Sequence, residues 1–391
     1  MRAAETRLTE HLVGASGPPD VVRELAPSHP SLRRLACRPT SARAPQVKVL
    51  TSLNPGGLFG GVATLLYVGA TLAAESGHDL EVVQTTAPTE FDVQAFLRSA
   101  SVPVPRIGVS RTPPTDVLEV HDDDIFVVSA WWDAARLAEA LPGRPFVYLV
   151  QDYEPIFYPN GDDQLWARAT YDIAEAVFVV NTSVLREFMS GLPIEINEST
   201  PFFEPAVAIP PGDRGRTNGR RRLFFYGRPN VARNLYGTGL QAIEQALMSA
   251  QLGDEWEVLM AGGERGRGIS LRTGHTVSRL GKLDLDSYRQ FCRTVDVCLS
   301  PMLAPHPNYP TLEMASAGAR VVTTRWENKT DLSRYGDAIW VVEPTVDALA
   351  TALVEAAAAE PGSATLPASW PDALQGPVRR VLRDLGGRRE G

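Results

Sequence analysis

Residues 300–324 read SPMLAPHPNYPTLEMASAGARVVTT, and the order of their punctuation decides the fold. The apolar run Asp296–Ser300 leads in with a polar exit, as a strand buried on both faces does. A proline-rich loop follows, in which His306 is read as a satisfied loop residue. Asn308 is placed to cap a helix, and Pro310 falls in the first turn, where no intrahelical amide bond is lost. The helix is expected to run to about Ala317, with Gly318 as its C-terminal cap and Ala319–Thr324 returning as a strand. Its start, at Asn308, Tyr309, Pro310, Thr311 and Leu312, would offer amides and the positive dipole end to a phosphate or diphosphate. Glu313, read in the first turn, either complements that dipole or accepts from a ribose diol. The residues alone leave both open.

Outward from this stretch, strands and helices alternate, which predicts doubly wound parallel sheets. Upstream, Leu223–Tyr226, Glu255–Ala261 and Thr276–Leu280 read as strands, with exits at Gly227–Asn230, at a GGERGRG loop and at Gly281–Lys282–Leu283. The Pro/Gly/Arg-rich stretch 205–221 is the clearest domain boundary. Before it, Val47–Leu53 is the first convincing strand. NPGGLFGG follows, ending in Gly60 and Gly61, then an apolar helix over Val62–Glu75. Such a loop lets a ligand approach the backbone closely, although its spacing fits neither the dinucleotide fingerprint nor the phosphate-binding loop. The expected organisation is an N-terminal helical extension (1–44), a first Rossmann-like domain (45–204), the linker (205–221), a second such domain (222–360) and a C-terminal helix (361–391).

Ligands of such sheets gather at the carboxyl ends of strands. Two exits there, Ser129-Ala130-Trp131-Trp132-Asp133 and Gln151-Asp152-Tyr153-Glu154-Pro155, set aromatic faces beside carboxylates. Trp131, Trp132, Asp152, Tyr153 and Glu154 are therefore candidate sugar or acceptor contacts, with Asp152 a candidate base; a core role for Trp131 stays equally open. His121-Asp122-Asp123-Asp124 precedes its strand instead, and reads as a solvated turn.

The 391 residues carry a net charge of −8, which argues against general nucleic-acid binding. Yet Leu25–Ala74 and Arg214–Ile243 contain no acid, and the second window holds Arg228 and Arg233 beside a strand-to-helix junction, a local positive field for an anion. Three cysteines, Cys37, Cys292 and Cys298, make no even framework. With neither a signal core nor an 18-residue apolar run, a cytoplasmic protein with at most peripheral membrane contact is expected. No cluster of His or Cys has metal-ligand spacing, so neither metal nor cofactor is expected.

LEMASAGARVV resembles the helix and strand of family-4 glycosyltransferases. The longer stretch, with YEPIFYPNGDDQLWARATY and FYGRPNVARNLYGTGL, is similar to the bacterial rhamnosyltransferase subgroup typified by WsaF, over roughly residues 45–345. This resemblance implies a GT-B fold, two facing Rossmann-like domains with a cleft between them, and a metal-independent, retaining transferase. It implies that Glu313 binds the donor's ribose, that Arg228 and Arg233 hold the diphosphate and that Gly281, Lys282 and Leu283 meet the base. Gly60 and Gly61 would face the donor from the first domain. The family's second glutamate, eight residues earlier, is Pro305 here. The expected function is transfer of rhamnose from dTDP-rhamnose to a glycan or lipid-linked glycan in surface-polysaccharide synthesis. A nucleotide-sugar epimerase and a catalytically silent binding partner are the alternatives.

Overall fold

The computed structural model describes residues 34–53, 60–85, 90–103, 106–111, 117–212, 219–249 and 252–390. The first domain carries β1 (Cys37–Pro39), β2 (Gln46–Thr51), α1 (Gly60–Ser76), β3 (Asp79–Gln84), α2 (Val93–Ser99), β4 (Ile107–Arg111), β5 (Leu118–Val120), β6 (Ile125–Val128), α3 (Trp131–Ala140), β7 (Phe146–Val150), α4 (Asp162–Ala169), β8 (Ala176–Asn181), α5 (Ser183–Ser190) and β9 (Phe202–Phe203). Seven of these strands form one parallel sheet in the order β4-β3-β2-β6-β7-β8-β9. Every residue of β6, β7 and β8 is buried, which is why they read as continuous apolar runs.

The second domain carries β10 (Arg221–Tyr226), α6 (Tyr236–Leu247), β11 (Trp256–Ala261), β12 (Gly266–Ser270), β13 (Thr276–Gly281), α7 (Leu285–Cys292), β14 (Val297–Leu299), α8 (Tyr309–Ser316), β15 (Arg320–Thr324), β16 (Ile339–Val342), α9 (Val346–Ala358) and α10 (Trp370–Glu390). Its sheet runs β12-β13-β11-β10-β14-β15-β16, parallel except where β12 pairs antiparallel with β13. Expected as loop, β12 is drawn into the ladder at the sheet edge. Its Gly- and Arg-rich composition hides it from any alternation pattern. The last helix returns to the first domain, where Trp370, Leu374, Val378, Val381 and Leu385 join the core formed by α1, β2 and β3. In α1, a Cβ added at Gly69 would stand 2.2 Å from Val49 Cγ2, so glycine there sets how closely helix and strand pack.

Two expectations about the N-terminal part need correction or fall outside view. Residues 1–33 and most of the glycine loop, 54–59, lie outside the described residues. Within the expected helical extension, Cys37–Pro39 is instead a strand paired with Leu118–Val120, a partner 81 positions away that no local pattern announces. In the His121–Asp124 turn, Asp122 and Asp123 are exposed, but Asp124 is buried. It accepts from the Arg43 guanidinium and from the amides of Gln46 and His121, bracing the sheet end away from the cleft.

Candidate functional site

A cavity of about 410 Å³ lies between the two domains, in the size range of small-molecule sites. Its wall is built from carboxyl strand ends of both sheets: Thr51 of β2, Ser129 after β6, Gln151 and Asp152 after β7, Asn181 of β8, Arg228 after β10 and Met302 after β14. Gly60 and Gly61, at the start of α1, close one side, where the Gln151 amide donates to the Gly61 carbonyl (2.8 Å). Asn308, Tyr309 and Pro310 close the opposite side.

Local chemistry at α8 follows the sequence closely. Asn308 Oδ1 accepts from the Thr311 amide (2.8 Å), with Pro310 inside the first turn and Gly318 just beyond the helix at φ +94°. Two details differ from expectation. Pro310 has no amide and that of Thr311 is taken by the cap, so the helix start offers fewer free donors than its length implies. Glu313 lies past the first turn, since Tyr309 is the first helical residue. There it accepts from the Tyr288 hydroxyl (2.9 Å), burial raises its pKa to about 7, and it is not among the residues bounding the cavity. The Leu312 side chain is buried with Val184, Leu332 and Tyr335 in an apolar seam between domains. The Tyr309 hydroxyl bridges that seam, meeting Thr64 Oγ1 at 2.6 Å and Asn181 Nδ2 at 2.7 Å.

Charge in the cavity is divided between the domains. Arg228 and Arg233 line the second-domain side. The Arg233 guanidinium stacks on the Phe157 ring (3.9 Å to its centroid) and stands 4.0 Å from Asp152. Facing it, Asp133, Asp152 and Glu154 share the first-domain wall. Burial pushes Asp133 and Asp152 up to about 6, against the opposing pull of Arg136 and Arg233 respectively. Glu154 rises to about 8, through burial first and then through its two carboxylate neighbours. Asp133 was not singled out by sequence. The available signals were its place at the end of the same strand-exit motif and its i,i+3 spacing to Arg136, with which it forms a buried pair (3.2 Å) within α3.

The aromatic candidates separate. Trp132 lines the cavity, but Trp131 is 1% exposed, donates its indole N–H to Tyr158 (2.8 Å) and packs among Trp132, Tyr158 and Trp166. Trp131 is thus a core residue rather than a sugar contact. Tyr153 likewise turns away, stacking on Tyr171 and meeting Phe188 edge-on. Gly281, Lys282 and Leu283 do not bound the cavity; Gly281, at φ +74°, closes β13 beneath Arg265. His306 lines the cavity and, contrary to expectation, is not fully satisfied: its Nδ1 accepts from the Asn308 amide (2.9 Å), while its Nε2 has no partner among the described residues. Asn181 was also missed, because a polar residue closing an apolar strand carries no local mark of the domain facing it.

Comparison with known proteins agrees with this architecture. Family models for the WsaF N-terminal and C-terminal domains match residues 48–183 and 221–354. The chain is 29% identical over 354 residues to the O-antigen biosynthesis protein RfbC of Myxococcus xanthus, covering 88% of this chain but 26% of that protein, so it spans about a quarter of that relative's length. Among solved structures, sucrose-phosphate synthase from Thermosynechococcus elongatus superposes with a TM-score of 0.55 at 12% identity, over 87% of this chain and 94% of that one. An α,α-trehalose 6-phosphate synthase from Burkholderia multivorans does so at 0.53 and 11%, over 88% and 95%. With both domains matched by their own family models and both sheets arranged as in the GT-B fold, the chain belongs to the WsaF family.

Proposed function

We propose that this chain is a glycosyltransferase that moves rhamnose from dTDP-rhamnose to a glycan acceptor during assembly of an O-antigen-type polysaccharide. The observation that carries the transferase reading is the convergence of Arg228, Arg233 and the start of α8 on one cavity, opposite the carboxyl groups of Asp133, Asp152 and Glu154. A nucleoside diphosphate is the ligand such a pair of guanidiniums suits, since each can fork onto phosphate oxygens. The polysaccharide context rests on the similarity to RfbC. The choice of rhamnose and of thymidine rests on the sequence resemblance to the rhamnosyltransferase subgroup.

In this reading, negative charge grows on the diphosphate as the glycosidic bond breaks. Arg228, Arg233 and the α8 dipole stabilise it more in the transition state than in the ground state. These cations supply the charge without a metal ion, so turnover is expected to survive excess EDTA; loss restored by Mg²⁺ or Mn²⁺ contradicts this. The anomeric configuration is retained, with the leaving phosphate taking the acceptor's proton and Asp152 as the alternative base. Glu313 would turn from Tyr288 to the ribose. The first domain takes the acceptor, at Trp132, Asp152 and Glu154. Among the described residues no helix is long and apolar enough to cross a membrane, and the proposed reaction belongs in the cytoplasm, where nucleotide sugars are made. The deciding assay is release of dTDP from dTDP-rhamnose with and without a rhamnan-type glycan: acceptor-dependent release supports transfer, while release or sugar isomerisation without acceptor does not.

Asp152 gives this reading a pH signature. Its pKa near 6, raised by burial, means that protonation below that pH frees Arg233 from its carboxylate neighbour. Donor affinity should therefore rise as pH falls from about 7 to 5, by roughly three- to tenfold for loss of one partly screened charge at close range. Dinucleotide-type pyrophosphates do not themselves titrate in this window, so calorimetry with dTDP-rhamnose isolates the protein's share. Asp152→Asn should flatten the profile, and an unchanged slope in that variant would remove Asp152 as its source.

A further inference from the structure

Buried polar atoms without partners are rare, because each forgoes its hydrogen bond with water on folding. Five lie on residues lining this cavity; besides Trp132 Nε1 and Arg233 Nε they are His306 Nε2, Asn308 Nδ2 and Asn181 Oδ1, and these three sit on uncharged side chains only 6%, 6% and 1% exposed. Their chemical character is fixed by what their other atoms do. His306 Nδ1 accepts from the Asn308 amide, so the ring proton is on Nε2 and that atom is a donor. Asn308 Oδ1 is occupied by the Thr311 amide and the Ser300 hydroxyl (3.2 Å), which leaves its Nδ2 as the donor. Thr64 donates to the Gly60 carbonyl (3.2 Å), so Tyr309 donates to Thr64 and accepts from Asn181 Nδ2, leaving Asn181 Oδ1 as the acceptor.

We propose that His306, Asn308 and Asn181 form an uncharged subsite, spanning both domains, that holds the hydroxyl groups of the transferred sugar. Two donors and one acceptor suit hydroxyls, which both give and take hydrogen bonds. They do not suit a phosphate, whose oxygens would face Asn181 Oδ1 as acceptor against acceptor. The loop is braced to hold this geometry: Asn234 donates to Pro301 O (3.2 Å), the fully buried Lys329 ammonium to Met302 O (2.7 Å) and the Leu303 amide to Arg233 O (2.8 Å). Burial, with Lys329 nearby, depresses the His306 pKa to about 3, so the imidazole stays neutral. Arg228 and Arg233 are left to the diphosphate. This assignment rests on the transferase reading above and adds the group that reads the sugar.

The test is calorimetric titration of wild type and His306→Asn with dTDP-rhamnose and with dTDP. The substitution keeps an acceptor near Nδ1 for the Asn308 amide and removes the donor at Nε2. The expected result is about tenfold weaker binding of dTDP-rhamnose, the scale of one buried hydrogen bond, with dTDP affinity within about twofold of wild type. Equal weakening of both ligands, or of neither, overturns the subsite. Wild-type protein that binds dTDP but not dTDP-rhamnose would instead overturn the choice of donor, and one that binds neither would overturn the transferase reading itself. Asn181→Ala, on the opposite domain, should reproduce the same sugar-only loss; loss of dTDP binding there too would also overturn it.

Discussion

Trp131→Ala is expected to lower the free energy of unfolding by about 3–5 kcal/mol, the range for removing a buried tryptophan. The indole lies among Trp132, Tyr158 and Trp166, with ring centroids 5.8, 6.1 and 6.4 Å away. Its removal leaves a cavity and deprives the Tyr158 hydroxyl of its 2.8 Å bond. The Trp131 main-chain amide, which donates to Glu154 Oε2 (2.7 Å), survives the substitution, so the wall of the site is lost only as far as the core beneath it relaxes. Denaturant titration measures the change. An unchanged midpoint with weakened ligand binding would return Trp131 to the role of sugar contact.

Arg233→Ala should weaken dTDP binding by about 1–3 kcal/mol, the scale of a hydrogen bond to a charged group. Two further consequences follow from its surroundings. Phe157 loses the guanidinium stacked on its ring, and Asp152 loses the cation 4.0 Å away, so the Asp152 carboxyl should titrate above its present value near 6. Arg233→Lys keeps the charge but neither fork nor stack, and should recover only part of the affinity. Calorimetry that finds wild-type affinity in both variants would remove Arg233 from the diphosphate site.

Sequence was most informative where structure is local. The Asn308 cap, Pro310 and Gly318 set α8 through bonds within a few residues, and the apolar strands announce the parallel sheets. Strand exits pointed to the right region, because a doubly wound sheet sends its carboxyl ends to one edge. What remained hidden is tertiary. Which of two adjacent tryptophans is buried depends on Tyr158 and Trp166, 27 and 35 positions further on. The unpartnered His306 Nε2 and Asn181 Oδ1 are set by the folded surroundings of each side chain, including the bond from Asn181 Nδ2 to Tyr309 of the other domain. Lys329, which no local pattern marks, is fully buried where it donates to Met302 O, and burial lowers its pKa to about 7 against the opposing pull of Asp152.

The most direct measurement is a crystal structure of the protein with dTDP bound. The account predicts the diphosphate within about 3 Å of the Arg228 and Arg233 guanidiniums, with the ribose near Glu313 and the sugar side of the diphosphate facing His306. A nucleotide bound outside the interdomain cavity, or one whose phosphates meet neither arginine, would contradict it.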